Sequence, residues 1–230
     1  MGWAEENNIK ALCFDIDGTL YPKWQTDLYL FFSALRHPVF SVRYNSMRQK
    51  MRAQDGYKAD RMLSLAGFRA KEKQLMGWKG SDEEWIETYE KKLLRPWEKS
   101  MARFIHPFPY VRESLEAARA RGFFLAALSD FPLSGKLSIL GLDDCFDWKA
   151  STEDTGYLKP CDQPFIYMLR EIGIRPEEAL YVGDSYKKDV VGASKVGMRT
   201  LLIRKGADKA SFPLADLVLT SWQTFANIVI

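Results

Sequence analysis

Short apolar runs of strand length, each followed by a stretch of helical periodicity, constrain this chain more than any other feature. Ala11 to Phe14 is apolar without alternation, as expected of a strand covered on both faces. Phe123 to Leu128, the longest fully apolar stretch, repeats the pattern, and Ala179 to Val182, Met198 to Ile203 and Leu217 to Leu219 do so again. Between them, Tyr110 to Arg121 places Val111, Leu115 and Ala118 on one helical face, and Gly122 stops that helix. Pro132 to Leu140 and Lys187 to Ser194 read as helices, as does a segment running to Ile172 with Asp162 as its N-cap. Ser221 to Ile228 completes the pattern. Repeated β-α units predict an α/β fold, a doubly wound parallel sheet covered by helices on both faces.

Residues 21–106 break this rhythm. Gln25 to Leu35, Val39 to Arg52, Lys58 to Leu65 and Asp82 to Leu94 read as helices, with breaks at Pro38, Gly67, Gly80 and Pro96 and no strand. Ser81 and Glu84 have capping-box spacing, and Trp85, Tyr89 and Leu93 follow on one face. The segment holds 17 Lys/Arg against 10 Asp/Glu, whereas the whole chain holds 33 against 30, a net charge of +3. A basic segment in an otherwise acidic chain suggests a second module. The expected division is a core of residues 1–20 and 107–230 with an inserted helical unit at 21–106.

Composition excludes several classes. With 230 residues and 47% hydrophobic content, the chain can bury about 70–75% of its unfolded surface and needs no disulfide framework. The three cysteines, Cys13, Cys145 and Cys161, form no CxxC pair, so a zinc knuckle is not expected and a reducing cytoplasm is the simplest setting. Only His37 and His106 could serve a histidine-based triad or metal site. No apolar run approaches the roughly 18 residues of a membrane span. Met1 to Lys10 has no apolar stretch of the secretory kind. These features lead to the expectation of a cytoplasmic location and no membrane partner.

The chemistry gathers at strand ends. The first strand runs into Asp15-Ile16-Asp17-Gly18-Thr19-Leu20-Tyr21, and ligands of open α/β sheets sit beyond the carboxyl ends of the strands. The second delivers Ser129-Asp130, Asp147 to Ala150 leads to a loop with Lys159-Pro160, and Ala179 to Val182 delivers Gly183-Asp184-Ser185, with Asp189 five residues after Asp184. One sheet edge thus receives a hydroxyl, a lysine and four carboxylates. Carboxylates crowded together stay ionised only beside a cation, and an all-oxygen set suits Mg²⁺.

Asp15 to Leu20, Ser129, Lys159-Pro160, and Gly183-Asp184 with Asp189 resemble, in order, the four motifs of the haloacid dehalogenase (HAD) superfamily of phosphatases. The resemblance covers residues 9–20 and 107–205, and 21–106 lies where that family carries a helical cap of the C1 type. It implies a Rossmann-like core and a Mg²⁺-dependent phosphomonoesterase acting on a small phosphorylated metabolite. Asp15 would be the nucleophile and form an aspartyl-phosphate, and Asp17 the acid/base. Ser129 would bind a phosphoryl oxygen, and Lys159 would offset negative charge and orient Asp15. Mg²⁺ would be held by Asp15, Asp184, a backbone carbonyl at Asp17 and, directly or through water, Asp189. Two departures stand out: Cys161-Asp162 follows Lys159-Pro160 where the family often has Asp-Pro, and Asp130-Phe131 follows Ser129, which alters the pocket rim.

Other readings stay open. A phosphosugar mutase uses the same core. A haloacid dehalogenase or a phosphonate hydrolase is disfavoured by Asp17, and the dehalogenase also by Asp184 and Asp189. A non-catalytic module is the rival of another class: ten basic residues, Arg48, Arg52 and Arg69 among them, lie between Arg36 and Lys73 beside Phe40, Tyr44 and Tyr57, a pattern compatible with nucleic acid. A solvated cap face is the preferred account, and nucleic acid is not the expected partner. The sequence names neither the substrate nor the oligomeric state.

Overall fold

The computed structural model describes residues 2–53 and 64–230. Six parallel strands form one sheet: β1 (Ala11–Phe14), β2 (Phe124–Ser129), β3 (Trp148–Ser151), β4 (Ala179–Gly183), β5 (Arg199–Ile203) and β6 (Leu217–Leu219), in the order β3-β2-β1-β4-β5-β6. β1 lies between β2 and β4, with Phe14 level with Ala127 on one side and Val182 on the other. The period-2 geometry of a strand sorts side chains into two layers. Leu12, Phe14, Leu125, Leu180, Val182 and Leu201 pack on one face, and Cys13, Ala126, Leu128 and Tyr181 on the other. Burial on both faces explains why these strands read as continuous apolar runs.

The helices are α1 (Trp3–Glu6), α2 (Trp24–Arg36), α3 (Pro38–Arg52), α4 (Leu65–Met76), α5 (Asp82–Tyr89), α6 (Arg95–Phe104), α7 (Val111–Ala120), α8 (Lys136–Ile139), α9 (Asp162–Ile172), α10 (Val191–Lys195) and α11 (Phe225–Val229). None of the described helices is long and apolar enough to cross a membrane. Helices α2 to α6 fall between β1 and β2; α3, α4 and α5 share an apolar cluster of Tyr44, Met47, Met51, Phe68, Trp85 and Tyr89 with Leu158, while Trp97 of α6 joins the cluster of the sheet. Most of the helix expected over Lys58 to Leu65 lies outside the described residues.

Several boundaries differ from the sequence reading, each for a local reason. Gly67 does not break a helix: it sits in the first turn of α4, where its amide donates to the Ser64 hydroxyl cap at 3.2 Å. Pro96 does not end one either. A π-helical turn, Glu90–Leu94, joins α5 to α6, and Pro96 falls in the first turn after it, where the missing amide is tolerated. The helix expected over Pro132 to Leu140 shrinks to α8 because Ser134 and Gly135 both take positive φ. Asp162 is the first helical residue of α9 and Cys161 its N-cap; the carboxylate in the first turn still complements the helix dipole. The Ser81–Glu84 capping box forms as the spacing predicts.

Candidate active site

The strand order reverses between β1 and β4, and the crevice beyond their carboxyl ends is where an open α/β sheet binds ligands. Asp15 leaves β1 at that point, its amide donating to the Val182 carbonyl at 2.9 Å. The chain then turns through Gly18 at φ +101, and a Cβ there would stand 2.5 Å from Asp184 Oδ2. Only glycine lets the first loop approach the Asp184 carboxylate so closely. Thr19 ties the two loops together: its hydroxyl donates to Asp15 Oδ2 at 3.0 Å and accepts from the Asp184 amide at 3.0 Å.

Asp15, Asp184 and Asp189 bring carboxylate oxygens within 4.8 Å of one another. Lys159 enters this group from the loop before α9. Its buried ammonium lies 2.6 Å from Asp15 Oδ1 and 2.7 Å from Asp189 Oδ1 and donates to the Tyr181 hydroxyl at 3.1 Å. Burial opposes its charge, but Asp15 and Asp189 outweigh this and hold the Lys159 pKa well above the ordinary lysine value. Asp189 comes from the π turn Tyr186–Val190, and its second oxygen accepts from the Ser185 amide at 3.0 Å. Burial, reinforced by the Asp15 charge, pushes Asp184 up to about 6. Burial and the neighbouring Asp15 and Asp184 charges push Asp189 up to about 7 against the pull of Lys159. Such shifts are the cost of burying anions together without enough positive charge.

Asp17 faces a different environment. Its carboxylate is not part of that trio. One oxygen accepts from the Tyr21 hydroxyl, and the other accepts from Ser129 Oγ at 2.8 Å and Lys136 Nζ at 2.6 Å. Burial would raise the Asp17 pKa, but Lys136, with the Tyr21 and Ser129 hydrogen bonds, more than offsets it and holds the carboxyl below its usual range. Lys136 Nζ also donates to Ser129 Oγ at 2.9 Å. Two aspartates two residues apart are thereby set apart electrostatically, each with its own lysine.

Lys136 escapes the sequence reading. It is fully buried and sits 4.6 Å over the Trp97 ring. Nothing in its spacing marks it, since it lies between Gly135 and Leu137 in a stretch that reads as an ordinary amphipathic helix. Asp130 also does more than shape a rim. It lies 2.9 Å from Arg52, its side chain accepts from the Lys159 amide at 3.1 Å, and its carbonyl accepts from Arg48 at 2.6 Å. Arg48 and Arg69 further pair with Glu153 at 2.6 and 2.7 Å. Three arginines expected on a solvated cap face are therefore turned towards the sheet and its loops. Cys161 is buried, and burial raises its pKa, as for an inert thiol.

The sequence matches the family model for haloacid dehalogenase-like hydrolases over residues 9–197. The chain belongs to the haloacid dehalogenase-like hydrolases. Among members of this hydrolase family, glyceraldehyde 3-phosphate phosphatase of Methanopyrus kandleri is 37% identical over 120 residues, 49% of this chain and 50% of the relative. Phosphoglycolate phosphatase of Aquifex aeolicus is 32% identical over 141 residues, 60% of this chain and 64% of the relative. The matches thus span about half to two thirds of these relatives' length. The crystal structure of a HAD phosphatase from Thermococcus onnurineus superposes with a TM-score of 0.62 at 25% identity, covering 95% of this chain and 97% of that one. A dehalogenase crystal structure shares the hydrolase fold with a TM-score of 0.65 at 18% identity, covering 96% and 97%.

Proposed function

We propose that this chain is a Mg²⁺-dependent phosphomonoesterase acting on a small phosphorylated metabolite through an aspartyl-phosphate at Asp15. The observation that carries the reading is the contrast between the two aspartates: Asp15 within a trio of carboxylates, with Lys159 at 2.6 Å, and Asp17 outside it, with Lys136 at 2.6 Å. The phosphatases among the relatives support the same reaction. In this reading residues 1–20 and 107–230 are the core and 21–106 the cap. The absence of a strand among the described residues between β1 and β2, and the apolar cluster that α3, α4 and α5 share, support that division.

The donor set fits a hard divalent cation. Three carboxylates converge, two of them with raised proton affinity, and the Gly18 turn leaves room that a Cβ would fill. Asp15, Asp184 and the Asp17 carbonyl would hold the ion, with Asp189 direct or one water away. Bound there, Mg²⁺ supplies charge neutralisation between nucleophile and phosphoryl oxygens.

Lys159 pairs with Asp15 and aims it. An Asp15 oxygen attacks phosphorus, the ester bond breaks, and Asp17 gives its proton to the leaving alkoxide. Asp17 is ionised beside Lys136 in the free protein; the dianionic phosphoryl group brought next to it raises its proton affinity, so that it takes up a proton from solvent as substrate binds and can then donate it. Asp17 then takes a proton from the water that attacks the aspartyl-phosphate, releasing phosphate and restoring Asp15. Ser129 bonds a phosphoryl oxygen in exchange for its contact with Asp17. A screen of sugar phosphates, nucleotides, phosphoglycolate and phosphoamino acids with added Mg²⁺ should show phosphate release that chelation abolishes. Release unchanged by thorough chelation would sink the metal-dependent mechanism.

A further inference from the structure

A cavity of about 330 Å³ opens among α2, α3, the π turn, α6 and the loop after β2. Leu30, Tyr44, Leu93, Leu94, Trp97 and Phe131 are among its lining residues. Two of these rings adjoin the acid/base's partner: Trp97 and Phe131 also cover the Lys136 ammonium, at 4.6 and 5.9 Å, and Lys136 holds Asp17.

The wall has an uneven chemistry. Among its described lining residues there is no lysine, arginine or histidine, and the one charged side chain is the carboxylate of Asp27. Two cations packed against these rings are engaged elsewhere. Arg48, stacked 4.5 Å over Phe131, is bound to Glu153 and to the Asp130 carbonyl, and Lys136 is bound to Asp17 and Ser129. Ser41 and Asn45 supply the neutral polar groups. A second carboxylate or phosphate on the leaving group would lose its hydration here without gaining a partner, and Asp27 would repel it. An uncharged apolar group meets aliphatic and aromatic walls instead.

Building on the phosphomonoesterase reading, we propose that this cavity receives the leaving group, and that the substrate class is the phosphate monoester of an uncharged alcohol with an aromatic or branched apolar body. At about 30 Å³ per water of liquid volume, the cavity has room for a body of about ten non-hydrogen atoms. Esters carrying a second anion are poor substrates.

The test uses the full chain with Mg²⁺ and three probes: acetyl phosphate, 3-phenylpropyl phosphate and 4-phosphooxybutyrate. The last two release primary alkoxides of similar basicity and differ in bearing a phenyl ring or a carboxylate. The phenyl ester should have a kcat/KM roughly 10–100-fold higher than the carboxylate ester, the range a hydrophobic pocket discriminates. Asn45→Arg, which adds a cation to the wall from an exposed position of α3, should narrow or reverse that ratio. Hydrolysis of acetyl phosphate with the carboxylate ester equal to or better than the phenyl ester would overturn this inference and leave the phosphomonoesterase reading intact. Failure to hydrolyse any of the three would overturn both. An Asn45→Arg protein with the unchanged ratio would show that the cavity does not hold the leaving group.

Discussion

Asp15 and Asp17 can be separated experimentally because one is assigned to the bond to phosphorus and the other to the proton. Asp15→Asn should lose turnover and form no phosphoenzyme. Asp17→Asn keeps the nucleophile but cannot donate a proton to an alkoxide, and such losses typically cost about 10²–10⁴-fold. Nitrophenyl or acyl phosphate needs little protonation of its leaving group, so the Asp17→Asn protein should still be phosphorylated and then release phosphate slowly. Intact mass after rapid quench should show the added phosphoryl group on this variant and none on Asp15→Asn; phosphoryl mass on the latter would place the nucleophile elsewhere. Lys136 belongs to the same scale. It is fully buried and 2.6 Å from a nearly buried Asp17, so Lys136→Met leaves an unpaired buried charge, a loss that typically costs about 3–5 kcal/mol. Denaturant unfolding should record that loss, and the double variant Lys136→Met/Asp17→Asn should recover a large part of it. A strictly additive double variant would mean that the two groups are not coupled.

At the scale of elements, α3 and α4 are held to the sheet loops through Glu153. This fully buried carboxylate pairs with Arg48 on α3 and Arg69 on α4, and Arg69 also pairs with Glu72 at 2.6 Å. Burial raises the Glu72 pKa despite Arg69, and Glu153 adds to the rise, so two acids depend on shared guanidinium groups. Glu153→Gln keeps the shape and removes the charge. It should loosen α3 and α4 before the sheet, because a segment opens locally once the ion pairs that tether it are weakened. Hydrogen exchange resolved by peptide should quicken by about tenfold or more across Pro38–Arg52 and Leu65–Met76, the factor that a loss of about 1.4 kcal/mol produces. β1 and β4 should keep their protection. Equal acceleration in the sheet would make Glu153 a global stability residue rather than a tether of α3 and α4.

For the whole molecule, the carboxylate trio links stability to pH and, in the proposed reading, to metal. Asp184 at about 6 and Asp189 at about 7 both stand above the ordinary value of 3.8. A folded-state pKa above the unfolded one means that the folded protein binds more protons between these values. Stability from this source is complete below about pH 4 and is lost as pH rises through 6 and 7. Without metal, the melting temperature should therefore fall between about pH 5 and pH 8. Mg²⁺ should restore it most at the alkaline end, where Asp184 and Asp189 are ionised. Asp184→Asn should flatten the metal-free profile. A profile that rises with pH in the chelated protein would contradict the crowding of these three groups.

The sheet was legible because a parallel strand buried on both faces must be apolar throughout, and Ala11–Phe14 and Ala179–Gly183 carry that mark in their residues. The acids were legible because Asp15, Asp17 and Asp184 follow those strands directly, so their place at one edge needs only the topology. Helix ends in residues 21–106 were less so: Gly67 and Pro96 act as breakers only if the chain has no cap or π turn to accommodate them, and Ser64 and Glu90–Leu94 provide both. What a charged side chain does with its charge was decided by folding alone. Arg48, Arg52, Arg69 and Lys136 look like solvated cations in sequence, and each is turned inward by a carboxylate or carbonyl far along the chain: Glu153, Asp130 and Asp17. Local periodicity reports which face of an element is apolar. It carries no information about which distant charge that face will meet, and here those meetings distinguish the two aspartates and leave the adjoining cavity without a free cation among its described lining residues.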